Sequence, residues 1–283
     1  MNIDASTKIY GLIGHPIKHS LSPIIHNTAF ESIQLNCIYE TFDVEPHNLK
    51  SAIDGIRALK IMGINVTIPH KENVLQYLDY ISDEAKTIGA VNTIVNEKGC
   101  LKGYNTDMIG FVESLKEENE KIEGRDFIII GAGGAARAVS TAAAINGAKS
   151  IIISNRSIDK AVNLSEYIKE KFHLNCTCCS LEELAKLEKI DILVNATNIG
   201  MYPYINNSPV CENIISKSNF IYDLIYNPEK TLFLKYAEKY GIKCTNGLNM
   251  LLNQANASFK IWTGKNFNKN LIKNIIIKKE FIK

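Results

Sequence analysis

Asp126-Phe127-Ile128-Ile129-Ile130-Gly131-Ala132-Gly133-Gly134-Ala135-Ala136 is the stretch from which the fold of this chain can be read. Its first five residues, mostly isoleucine, have the pattern of a buried strand. They run directly into Gly131 to Ala136, a match to G-x-G-x-x-[GA], and an Ala-rich helix is expected from Ala135 to Asn146, ending at Gly147. Gly131 permits a tight turn and Gly133 lets backbone approach a pyrophosphate. Ala136 is small enough for close helix–strand packing. The helix N-terminus offers N–H groups to an anion. Glycines also make plain turns, but the strand before and the helix after favour a dinucleotide site at Gly131, Ala132, Gly133, Gly134 and Ala135.

The next strand, 150–154, bears on which dinucleotide. It runs into Asn155-Arg156-Ser157, and no acid occurs before Asp159. A NAD site places an acid about 20 residues past the glycines to hold the ribose 2′-hydroxyl. Arg156 instead offers a planar cationic fork suited to a 2′-phosphate, with Asn155 and Ser157 as neutral donors. The plainer alternative is a solvated surface arginine. NADP is the expected cofactor.

Further strands are expected at 176–179, 190–195, 219–223 and 242–245, alternating with helices in the rhythm of a doubly wound parallel sheet. Upstream, strands at 8–13, 37–43 and 64–68 alternate with helices at 22–34 and 46–60. Ser22 is expected as a helix cap before Pro23. Helical patterns continue to Gly89, and 91–95 is expected to pair with 101–104 across a turn at Gly99. Two helices, 248–263 and 268–282, end the chain. The fold class is thus α/β, with two α/β domains.

The 283 residues are 46% hydrophobic and 22% charged with net charge +2, which fits two globular domains and excludes a disordered chain. The balanced charge argues against a nucleic-acid partner. No apolar run approaches the roughly 18 residues of a membrane span. The N-terminus has no secretory h-region, so a cytoplasmic location is expected. Seven cysteines include the C-x-x-C pair Cys176 and Cys179. No second ligand pair lies nearby, so a buried strand is favoured over a metal or redox site, and no metal is expected. Ser180 and Glu183 have capping-box spacing for the helix that follows.

The first half also gathers polar residues at element ends. Ser20 and Ser22 place two hydroxyls at a helix start, where a carboxylate binds well, although such serines also serve as simple caps. Thr67 and Lys71 follow one strand, Asn92 lies in an apolar strand, and Asp107 opens the second unit. A lone lysine or aspartate is usually a surface charge. Lys71 and Asp107 together are a candidate amine–carboxylate pair.

These blocks carry a family resemblance. The stretches Gly14 to Pro23, Asn65 to Glu72, Gly89 to Thr93, Gly103 to Asp107, Gly131 to Ala136, Asn155 to Ser157, Asn195 to Thr197, Asp223 to Pro228 and Gly247 to Leu251 with Gln254, and on to Trp262-Thr263-Gly264, resemble shikimate dehydrogenases in order and over nearly the whole chain. The resemblance implies reversible NADPH-dependent reduction of 3-dehydroshikimate to shikimate, on the route to chorismate and the aromatic amino acids. It implies Lys71 and Asp107 as the catalytic pair. Ser20, Ser22 and Tyr226 would hold the substrate carboxylate, and Thr67, Asn92, Asp107 and Gln254 its ring hydroxyls. Lys71 would also touch the substrate. Thr197, Leu224 and Gly247 would join the glycine loop and residues 155–157 at the cofactor, with Asp83 near the nicotinamide.

The resemblance further implies a substrate-binding domain of 1–104 with 248–283, a Rossmann NADP-binding domain of 105–247, and a monomer or homodimer. Three positions depart from the family pattern. Asn198 stands where Ser is common, His70 precedes the lysine where Phe is common, and Ser157 replaces Thr. His70 either packs or influences Lys71, and packing is the simpler reading.

Two readings compete with this one. A broader quinate/shikimate dehydrogenase using NAD is disfavoured by Arg156 and the Ser20–Ser22 pair. A non-catalytic metabolite sensor would be expected to lose Lys71 or Asp107 or to add a DNA-binding segment.

Overall fold

The computed structural model describes residues 3–18 and 20–280. The chain divides into two compact units, Met1–Gly110 with Leu252–Lys283, and Phe111–Leu251. Each has its own six-stranded sheet.

The first unit runs through β1 (Lys8–Gly14), α1 (Ser22–Ser32), β2 (Cys37–Asp43), a 3-10 turn at Pro46–Asn48, α2 (Leu49–Ala58) and β3 (Gly63–Val66). A second 3-10 turn, Asn73–Tyr77, leads to β4 (Tyr80–Ile81), α3 (Asp83–Ile88), β5 (Thr93–Glu97), β6 (Cys100–Tyr104) and α4 (Asp107–Glu117). The second unit continues with β7 (Asp126–Ile130), α5 (Gly134–Ile145), β8 (Ser150–Ser154), α6 (Ile158–Phe172), β9 (Cys176–Cys178) and α7 (Leu181–Leu184). It then adds β10 (Ile190–Asn195), α8 (Glu212–Ile215), β11 (Ser218–Asp223), α9 (Leu232–Lys239) and β12 (Lys243–Thr245). Helix α10 (Leu248–Thr263) carries the chain back to the first unit, and α11 (Lys269–Glu280) packs on α1. Residues 281 and 282 of the expected last helix, and His19 of the motif that ends at Pro23, lie outside the described residues.

The first sheet is mixed, in the order β2-β1-β3-β5-β6-β4. Strand β1 is parallel to β2 and β3, while β5 is antiparallel to β3 and β6. Gly99, at φ +94°, turns the β5–β6 hairpin. The second sheet is parallel throughout, in the order β12-β11-β10-β7-β8-β9. Its chain order reverses between β7 and β10, the place where such sheets bind ligands.

Four local expectations change. The stretch expected to be helical up to Gly89 contains β4, whose two residues are too few to show a period. Ser22 is not a cap. Leu21 holds that position, and the Ser20 hydroxyl accepts the Ser22 N–H at 3.2 Å. Helix α1 ends at Ser32 rather than Gln34, whose φ of +56° is left-handed. Val91 and Asn92 precede β5, because the Val91 N–H is bonded by the Lys71 carbonyl at 2.8 Å. The capping box at Ser180 and Glu183 forms as the spacing predicts.

Both faces of the first sheet are buried. Ile13, Ile53, Ile56, Ile64 and Ile94 fill one cluster. On the aromatic side, Tyr10, Phe30, Tyr39, Phe259 and Trp262 surround or adjoin His26, which stacks on Tyr39 at 4.4 Å. Burial pushes His26 down to about 3, so it packs as a neutral ring. Trp262 anchors the returning helix by donating its indole N–H to the Ile94 carbonyl at 3.0 Å. A Cβ on Gly63 would lie 2.4 Å from that indole nitrogen. Gly63→Ala should therefore destabilise the first unit by about 1–3 kcal/mol through overpacking. Urea unfolding followed by Trp262 fluorescence checks this, and an unchanged midpoint would contradict it.

Candidate active site

In the first unit, the ends of several elements converge on a lysine. The turn after β3 carries Lys71, and its Nζ lies 2.6 Å from Oδ2 of Asp107, the first residue of α4. Both side chains are largely buried, 16% exposed for Lys71 and 8% for Asp107. The other carboxylate oxygen accepts a hydrogen bond from Asn92 Nδ2 at 2.8 Å. Asn92 Oδ1 in turn accepts the Thr106 N–H at 2.9 Å, so the amide orientation is fixed from both ends. Gln254 Oε1 lies 3.4 Å from both Asn92 Nδ2 and Thr106 Oγ1. Lys71, Asn92, Asp107 and Gln254 thus form one cluster.

Thr67 and Ser20 are half-buried, and Ser22 is buried. The Thr67 N–H continues the sheet by bonding the Ile13 carbonyl at 2.9 Å. Asp83 stands in the first turn of α3 with its side chain 94% exposed, 3.5 Å from Lys86. It takes no part in the Lys71 cluster. His70 is fully buried, with Nε2 2.6 Å from the Val44 carbonyl oxygen. That bond ties the ring to the residue after β2.

In the second unit, backbone meets backbone at the sheet's reversal point. Gly131 has φ +120°, and a Cβ there would lie 2.9 Å from the Ala196 carbonyl oxygen beyond β10. Only glycine fits that approach. No side chain caps α5, whose N-cap is Gly133, so the N–H groups of its first turn lack the side-chain acceptor a capped helix has. Arg156 and Ser157 are exposed between β8 and α6, with Asn155 partly so. Asn155 donates to the Ser157 carbonyl at 2.9 Å. Thr197 is fixed by Asn195 Oδ1, which accepts from its N–H at 3.0 Å and its hydroxyl at 2.7 Å. Leu224 and Gly247 touch directly: a Cβ on Gly247 would lie 2.0 Å from the Leu224 carbonyl oxygen. Tyr226 is half-buried just past β11.

Asp223 is a member of this arrangement that the sequence did not single out. Its buried carboxylate accepts from Asn195 Nδ2 at 2.9 Å, the Ile225 N–H at 3.1 Å and the Thr231 hydroxyl at 2.6 Å. It therefore ties Asn195, and through it Thr197, to the end of β11. An acid ending an apolar strand was the available signal. Asn65, in the middle of buried β3, is a similar case.

Among the described residues, no group of three or more His, Cys, Asp or Glu is placed to hold a metal ion. Burial pushes the Cys176 thiol up to about 12 and that of Cys179 up to about 11, which leaves little reactive thiolate.

A glycine-turned parallel sheet together with a buried lysine–carboxylate pair defines a dinucleotide-dependent oxidoreductase of two α/β units. Comparison with known proteins sharpens that class. Residues 12–94 match the shikimate dehydrogenase substrate binding domain, and residues 113–228 match shikimate / quinate 5-dehydrogenase. The NADP(+) shikimate dehydrogenase of Caldanaerobacter subterraneus subsp. tengcongensis is 55% identical over 96% of this chain and 97% of its own. A crystal structure of a shikimate dehydrogenase in complex with NADP+ superposes with a TM-score of 0.91 at 46% identity, covering 98% of this chain and 97% of that one. The Listeria monocytogenes shikimate 5-dehydrogenase, solved with shikimate and NAD, gives 0.88 at 38% identity, with 98% of each chain covered. The chain belongs to the shikimate dehydrogenase family.

Burial raises the Asp223 carboxyl from 3.8 to about 6, although its three hydrogen bonds oppose the shift. The folded chain thus holds this proton more tightly than the unfolded chain. The resulting stabilisation is complete below 3.8 and is lost as pH rises through about 6. Asp223→Asn removes that titration. The variant's melting temperature relative to wild type should therefore climb from about pH 4 to about pH 6 and level off above. A difference independent of pH would contradict this assignment.

Proposed function

We propose that this chain is an NADP-dependent shikimate dehydrogenase that interconverts 3-dehydroshikimate and shikimate. The observation that carries the proposal is the 2.6 Å contact between Lys71 and Asp107, with Asn92 on the second carboxylate oxygen. When bound, the reduced nicotinamide supplies the hydride that the C3 carbonyl carbon of 3-dehydroshikimate accepts.

The carbonyl oxygen gains negative charge as its bond order falls, and it needs both a positive neighbour and a proton. The Lys71 ammonium offers both. In the reverse direction, neutral Lys71 takes the hydroxyl proton. Asp107 keeps the ammonium aimed and accepts from a substrate hydroxyl. Asn92, Thr67 and Gln254 bind the ring hydroxyls, and Ser20, Ser22 and Tyr226 the carboxylate. Two serine hydroxyls and a tyrosine suit an anion without adding another charge beside Lys71.

The residues for the cofactor fit NADP. Gly131 admits the close backbone approach, uncapped α5 offers its N–H groups, and exposed Arg156 can meet a 2′-phosphate. Ala132 and Gly133 complete the turn and Gly134 and Ala135 open α5, Asn155 and Ser157 flank Arg156, and Thr197, Leu224 and Gly247 line the strand ends. Asp83 belongs to the proposed nicotinamide side through its family role alone.

In this proposal residues 1–104 with 248–283 bind substrate, and 105–247 bind NADP. The enzyme works in the cytoplasm, as a monomer or homodimer. No helix among the described residues is long and apolar enough to cross a membrane.

Two measurements test this reading. With the fold intact by circular dichroism, Lys71→Ala should lower kcat for shikimate oxidation by about 10²- to 10⁴-fold. Near-normal turnover would overturn the role of Lys71. Arg156→Ala should raise the KM for NADP+ by about tenfold or more, the loss of a charge-assisted contact, and leave that for NAD+ within about twofold. Equal effects on both cofactors would count against 2′-phosphate recognition by Arg156.

A further inference from the structure

A fully buried hydroxyl lies behind the Lys71–Asp107 cluster. Ser258, on α10 one turn beyond Gln254, has no exposure to solvent, and neither has Thr93. Its Oγ is 2.7 Å from Thr93 Oγ1 and 3.1 Å from Thr106 Oγ1. Its one proton has two acceptors in reach, Thr93 Oγ1 and the Gln254 backbone carbonyl at 3.1 Å, and it accepts from Asn65 Nδ2 at 3.2 Å. A serine hydroxyl has one proton and two lone pairs, one fewer than these four neighbours, so it bonds three of them at a time.

Each neighbour leads to the cluster. The Thr93 hydroxyl donates to Asn92 Oδ1 at 2.9 Å. Thr106 is bonded to the same Asn92 oxygen and precedes Asp107. Gln254 shares the helix turn that Ser258 closes. Asn65 Nδ2, whose two protons are shared among three acceptors, also reaches the Asn92 backbone carbonyl at 3.1 Å and Thr93 Oγ1 at 3.2 Å, and Asn65 Oδ1 accepts from the Tyr39 hydroxyl at 2.7 Å. Ser258 is thus the point where α10, β3, the start of β5 and the residue before α4 are joined by hydrogen bonds. An alanine there would leave Thr93, Thr106 and Asn65 sharing fewer partners in a dry site, where an amide and two hydroxyls would re-pair.

We propose that Ser258 is a positioning residue for substrate: through Thr93, Thr106 and the Gln254 turn it sets the side chains of Asn92 and Gln254 against the ring hydroxyls. This rests on the functional reading above. Ser258 touches no reacting atom, and its effect is confined to the substrate half of the reaction.

The test is steady-state kinetics of wild type, Ser258→Ala, Ser258→Cys, Thr93→Val and the Ser258→Ala/Thr93→Val double variant, with shikimate and NADP+ varied separately. Ser258→Ala should raise the KM for shikimate by about three- to tenfold, the range of one net hydrogen bond, and leave the KM for NADP+ unchanged. Ser258→Cys, with a weaker donor and acceptor, should recover part of the loss. The double variant should lose less than the product of the two single losses, because both act through Asn92.

A shikimate KM unchanged in Ser258→Ala would overturn the proposal alone. So would equal losses for shikimate and NADP+ accompanied by a fallen melting temperature, which mark general destabilisation. If Ser258→Ala does not fold, Ser258→Cys must show the selective rise in shikimate KM, and its absence is equally fatal. A wild type that does not oxidise shikimate with NADP+ overturns the functional reading, and this proposal with it.

Discussion

An ammonium and a carboxylate 2.6 Å apart, both mostly hidden from water, set the terms for the rest of the first unit. Removing two charges from solvent costs several kcal/mol each, and attraction repays that only when the remaining lone pairs are also bonded. Asn92 supplies such a bond to the Asp107 carboxylate, and Asn105 fixes the Asp107 backbone by accepting its N–H at 3.0 Å. The polar side chains buried around the pair, Asn65, Asn92, Thr93, Thr106 and Ser258, would be costly in a core without such partners. Hydrogen-bonded to one another, they hold a charged pair in a fixed place within an otherwise apolar sheet.

The second unit meets a different demand. Its elements do not hold a charge but bring backbone close to backbone at the ends of β7, β10 and β11. Gly131 lies against Ala196 and Gly247 against Leu224, at separations where a Cβ has no room. Asp223 and Asn195 bond the backbone and hydroxyl groups left over where strands become loops. In the proposed function the anion-binding groups are local: N–H groups at a helix start and one exposed arginine. A chain of net charge +2 therefore needs no wide basic surface.

Much of this was legible in the residues. The run of isoleucines into Gly131 identified β7 and the turn, because strand, glycine spacing and helix each have a distinct local signature. The absence of an acid before Asp159 was equally readable. Short or mixed elements were not: β4 has two residues, and β5 begins two residues later than its apolar run because Val91 bonds Lys71 instead. The serine pair was found, but Ser22 is not the cap: it is already helical, and Ser20 accepts its N–H. Least visible was Ser258. One serine on an amphipathic helix has no sequence signal, and its importance comes from Thr93, Thr106 and Asn65, which reach it from distant parts of the chain. Thr93 and Asn65 lie in the sequence beside more obvious residues, and their mutual contacts are a property of the fold.

The central claim is that Lys71, held by Asp107, exchanges the proton at the reacting oxygen. The most direct measurement is a crystal structure of the chain with shikimate bound. The C3 hydroxyl oxygen should lie within about 3.2 Å of Lys71 Nζ, the reach of a proton transfer. Shikimate bound in the first unit with that hydroxyl beyond hydrogen-bond reach of Lys71, and another side chain in its place, would contradict the account.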